Sequence, residues 1–119
     1  MPDEQKSIAL CIQVQTPLSP QLDINRLYQL FESISTNNGI VERYVTASSN
    51  NGDNYIDFIF KTKAAGELWR QIRDRIYNDA AIGAGVAQSS IVICEGKNGW
   101  NDYFLLHHFN PEEILDTMR

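Results

Sequence analysis

Two spacings of apolar residues alternate along the chain. Ser7 to Val14, SIALCIQV, is a β-branched and apolar run that stops at Thr16-Pro17-Leu18-Ser19-Pro20, where two prolines block any continuing strand. It predicts a central first strand. A helix follows, opened either by Ser19 with Pro20 in its first turn or by Asp23 as the cap. Within it Ile24, Leu27, Tyr28, Leu30, Phe31 and Ile34 share one face, while Asn25, Arg26, Gln29, Glu32 and Ser33 share the other. Asn37-Asn38-Gly39 ends it, because Asn and Gly tolerate the left-handed conformation common at helix C-termini.

Gly39 to Ala47 and Asn54 to Thr62 read as antiparallel strands joined by the turn formers Ser48 to Asp53. Ile56, Phe58 and Phe60 alternate with Tyr55, Asp57, Ile59 and Lys61, giving one apolar and one mixed face, as in a sheet covered on one side. Thr62 is a candidate cap for a second helix, whose stripe is Ala65, Leu68, Trp69, Ile72 and Ile76. Lys63/Glu67 and Arg70/Asp74 stand four residues apart on its polar side, as ion pairs on a solvated face. Gly83 and Gly85 predict a flexible connection after it.

Ser89 to Lys97 and Trp100 to Phe109 flank Asn98-Gly99 and predict a second hairpin. With Asn98-Gly99 as its two loop residues, Glu95 would face Asp102, an unfavourable like-charge pair, so a wider loop stays open. Asn110, Pro111 and Glu113 supply a cap, a first-turn proline and a capping-box acid for a short terminal helix through Leu115.

This order makes one α+β domain over residues 1–119, a ferredoxin-like two-layer sandwich (βαββαβ) with an additional C-terminal hairpin strand and a short terminal helix. Two one-sided helices cover one sheet face, and the other face becomes the functional question.

Composition narrows the partners. Fifteen acidic against ten basic residues give a net charge of −5 and a pI near 4.8, which disfavours nucleic acid and anionic membranes and favours a basic protein. The start, Met1-Pro2-Asp3-Glu4-Gln5-Lys6, has neither the basic region nor the apolar run of a secretory signal, so a cytoplasmic location is expected. Cys11 and Cys94 lie in apolar runs and are expected to be reduced. Charge is also segregated: Lys61, Lys63, Arg70, Arg73 and Arg75 against Glu67 and Asp74 give the second helix and its approach +3, leaving −8 elsewhere. Arg73 and Arg75 flank the apolar stripe, where their stems can cover core edges.

Little points to chemistry. His107-His108, adjacent on a strand, would leave on opposite faces and not share one metal, and a structural zinc site wants four closely held ligands. Cys94 with either histidine lacks a third group to orient the imidazole, and its apolar surroundings raise a thiol pKa. Gly83-Ala84-Gly85-Val86-Ala87-Gln88 follows a helix and precedes a strand, the reverse of a dinucleotide-binding loop. Asp53/Asp57 and Glu95/Asp102 have no spacing that marks a general-acid pair. No enzyme, cofactor or metal is therefore expected.

The segment Glu95 to Tyr103 is the candidate partner surface. Trp100 and Tyr103 beside a glycine-rich tip suit interface anchors, with Glu95, Lys97 and Asp102 around them. The expected function is a non-catalytic protein-binding module, for instance an immunity or inhibitor protein that neutralises a basic partner. The alternative is a small-molecule-sensing regulatory domain that pairs as a homodimer.

Overall fold

The computed structural model describes residues 7–37, 39–49, 54–96 and 99–116. Strands β1 (Ile8–Val14), β2 (Val41–Ser48), β3 (Ile56–Thr62), β4 (Ser90–Gly96) and β5 (Gly99–His107) form one antiparallel sheet in the order β2-β3-β1-β4-β5. Helices α1 (Ile24–Thr36), α2 (Ala65–Ile72) and α3 (Gly83–Ala87) complete an α+β fold. β1 is central and the fifth strand extends an edge, as the order of elements predicts.

The helices bury the face that alternation marks. Leu10, Ile12, Val14, Phe58, Phe60, Val92 and Cys94 point from the sheet toward Leu27, Phe31 and Ile34 of α1 and Leu68, Trp69 and Ile72 of α2. Phe31 stacks on Phe58 with ring centroids 4.3 Å apart. Asp23, not Ser19, caps α1, accepting from the Arg26 N–H at 3.1 Å. Ser19 instead closes a 3₁₀ turn over Thr16–Leu18 and is buried.

Several local expectations give way to tertiary packing. Thr62 does not cap α2; as the last residue of β3 it donates to the Ile40 carbonyl and accepts from the Ala64 N–H. Lys63 reaches Glu42 rather than Glu67, which is taken by Arg70 and Gln71. α2 continues into a π-helical turn, Arg73–Tyr77, where the Asn78 N–H bonds the Arg73 carbonyl at 3.0 Å. The stretch expected to be a flexible connection holds α3. The Asp79 carboxylate accepts from the N–H groups of Ala81 and Ile82, Val86 enters the core, and Gly83 is buried. A Cβ on Gly83 would lie 2.3 Å from the Tyr77 carbonyl oxygen, so this glycine serves close approach, not flexibility.

The short terminal helix does not form. Asn110 accepts from the Glu112 N–H through its side chain and from the Glu113 N–H through its carbonyl, which makes turns. Ile114 is 88% exposed, so no apolar face stabilises so short a helix. The chain runs instead along the outer edge of β5, where Asp116 donates its N–H to the Leu105 carbonyl and accepts from the Leu105 N–H through its carboxylate, both at 2.7 Å.

Candidate functional surfaces

The second hairpin departs from the register predicted for an Asn98-Gly99 loop. Gly96 pairs with Gly99, and Cys94 pairs with Phe104, so β5 bulges between these points. Glu95 consequently does not face Asp102. It lies on the open sheet face, where its carboxylate accepts from the Ala9 N–H at 2.8 Å and stands 3.8 Å from Lys61 Nζ. The Asp102 carbonyl crosses over Gly96, where a Cβ would lie 1.7 Å from its oxygen. Only glycine permits that approach.

Of the five residues expected at the partner surface, Trp100, Asp102 and Tyr103 share the bulged start of β5 and are exposed, Trp100 at 44% and Tyr103 at 53%. Glu95 is engaged by the Ala9 N–H and stands near Lys61, and Lys97 lies outside the described residues. Ile114 and Leu115, which sequence reasoning assigned to a helix, are exposed further along the same edge. From Gly99 to Asp116 the chain carries Asp102, Glu112, Glu113 and Asp116 and no Lys or Arg. This edge is apolar and acidic together.

A cleft of about 700 Å³ opens on the helix side, between α2 with its π-helical turn, the end of β5 and the segment that follows. An extra residue on β5 between the Ile93↔Leu105 and Val92↔His107 pairs turns both Leu106 and His107 toward it. Trp69 and Tyr77 meet edge to face at 5.4 Å, and the Arg73 guanidinium sits 5.6 Å over the Trp69 ring. His107 Nε2 donates to the Ala87 carbonyl at 2.8 Å, which leaves Nδ1 as the acceptor. Burial outweighs that bond and lowers the His107 pKa, keeping the ring neutral near pH 7. Of the acids that line the cleft, Asp74 pairs with Arg70 and Asp116 bonds Leu105. Arg73 has no acidic partner within ion-pair distance among the described residues.

The thiols sit on opposite sides of the sheet. Cys94 points into the core, and burial, with Glu95 adding to it, raises its pKa to about 11. Cys11 lies on the open face, pushed up to about 12 by burial and then by Asp57. Leaving from opposite faces of paired strands, they cannot bridge each other. Among the described residues no three His, Cys, Asp or Glu side chains gather closely enough to hold a metal ion. No helix among them is long and apolar enough to cross a membrane.

The open sheet face carries residues that alternate with the core. Val45, Ile59, Cys11, Ile93 and Leu105 pair strand to strand and form one apolar row across the sheet. Sequence reasoning identified a mixed face but not this row. No protein-family model, curated protein or solved structure matches the chain.

Proposed function

We propose that the chain is a non-catalytic binding module that takes a basic protein on the edge formed by β5 and the segment after it. One observation carries this reading. Trp100, Tyr103, Ile114 and Leu115, four of the six large hydrophobic side chains exposed among the described residues, fall within the Gly99 to Asp116 stretch that has four acids and no Lys or Arg. Exposed aromatics supply anchors, and surrounding carboxylates supply attraction and exclude acidic competitors. An immunity or inhibitor protein that neutralises a basic enzyme is the concrete form of this activity, since charge complementarity speeds the encounter.

The same reading takes the scaffold as ferredoxin-like with an added edge strand. The βαββαβ order of the first six main elements and the antiparallel neighbours β2-β3-β1-β4 support it, with β5 as the addition. A second reading, a small-molecule-sensing domain, is favoured by the cleft, whose Trp69 and Tyr77 rings and acid-free Arg73 suit a planar anion. Under that reading Arg73→Ala, and not a β5 substitution, is the damaging change.

The test is capture of partners from the protein's own cell lysate at low and high salt. Wild-type protein retains one stoichiometric basic protein, more weakly at high salt, and the Trp100→Ala/Asp102→Ala variant binds it at least tenfold more weakly. Equal retention by that variant removes β5 as the contact surface. The absence of any stoichiometric partner removes the binding-module reading.

A further inference from the structure

We infer that the open sheet face is the contact surface of a symmetric homodimer, in which two copies pack face to face about a two-fold axis running along the apolar row. This inference meets the acidic edge only at Leu105 of β5 and stands without that edge.

The row is continuous: Val45 pairs with Ile59, Ile59 with Cys11, Cys11 with Ile93 and Ile93 with Leu105, one residue from each strand. Val45 is 40% exposed, and its row neighbours are only half-buried. The core helices pack against the opposite face. An uncovered apolar strip of this kind marks an interaction surface.

The neighbouring rows identify the occupant. On one side lie Arg43, Lys61 and Ala9, with Glu95 beside them; on the other lie Ala47, Asp57, Gln13 and Ile91. The formal charges are +1 and −1. A two-fold axis along the row returns each apolar residue to face its own copy and exchanges the two flanks. Lys61 of each copy then faces Asp57 of the other, giving two reciprocal ion pairs that enclose the apolar strip. A surface whose flanks carry opposite signs about a self-matching row is complementary to itself, which is what a symmetric interface requires.

The area suffices. Five strands of about seven residues make a face about 24 Å by 23 Å, or about 550 Å² per copy. Two copies together bury about 1,100 Å², above the roughly 1,000 Å² expected of a biological contact. Facing sheets lie about 10 Å apart, a gap that Val, Ile and Leu side chains fill by interdigitation.

Sedimentation equilibrium of the full chain between 1 and 100 µM tests the geometry, with circular dichroism confirming that each variant is folded. Wild-type protein is expected to reach twice its 13.5 kDa chain mass. Lys61→Glu alone and Asp57→Lys alone each replace two attractive contacts by two repulsive ones, and each is expected to weaken dimerisation at least tenfold. A mixture of the two variants restores it, because every facing pair is again of opposite sign. A monomeric wild type at 100 µM overturns the inference, and so does a dimer that neither substitution weakens or that mixing does not rescue. Trp100→Ala/Asp102→Ala leaves the dimer unchanged, so failure of the partner reading and failure of this one are told apart.

Discussion

Tyr44 lies on the covered side of β2 with its ring 4.8 Å from that of Phe60, and its buried hydroxyl has no hydrogen-bond partner among the described residues. Burial, reinforced by Tyr28 and Glu32, pushes its pKa upward, so the hydroxyl stays neutral across the physiological range. An orphaned buried hydroxyl costs about 1–3 kcal/mol, whereas the aromatic ring contributes packing. Tyr44→Phe retains the packing and removes the orphan. The expected result is a gain of about 1 kcal/mol in urea unfolding at pH 7, and a measured loss would mean that the hydroxyl is satisfied in solution. This residue shows what a sequence withholds: Gly39 to Ala47 reads as a strand, but the sequence says neither that Tyr44 points inward nor whether its oxygen meets a partner there.

Elements were legible where their period was sustained. The seven-residue alternation of β3 and the Leu68, Trp69, Ile72, Ile76 stripe identify a strand and a helix because burial on one face enforces both patterns. α3 was not legible, since Gly-Ala-Gly has poor helix propensity and the turn is held from outside. Val86 enters the core, and Asp79 joins the α3 approach to Arg26 of α1 at 2.7 Å. The converse error was the terminal helix, where capping signals were present without an apolar face to bury. Asp79 makes the α3 support testable. Its contact with Arg26, and then the N–H groups of Ala81 and Ile82, hold its pKa near 2, below the ordinary 3.8. Between these values the unfolded chain has bound a proton that the folded chain resists, so this stabilisation is complete above about pH 4 and is lost as pH falls toward 2. Asp79→Asn should lower the midpoint of urea unfolding at pH 7 and narrow its gap to wild type near pH 2. A gap that does not narrow would mean that the carboxylate charge does not hold the turn.

The apolar row across the open face belongs to the whole molecule, because each strand contributes one residue and pairing alone aligns them. Read singly, Ile59 or Ile93 is indistinguishable from a core residue, whereas Trp100 beside glycines already points to a surface. The two surfaces respond oppositely to salt. Every copy carries −5, so two copies repel at long range, and screening removes that repulsion while leaving burial of the apolar row intact. The Lys61 and Asp57 contacts lie within the interface and are screened less than charges in free solution. Raising sodium chloride from 50 to 500 mM should therefore tighten the homodimer in sedimentation equilibrium. For a basic partner at the β5 edge the long-range term is attractive, and the same change should weaken binding. Dimerisation that weakens with salt would mean that charge pairing, and not the apolar row, supplies the main driving force of self-association.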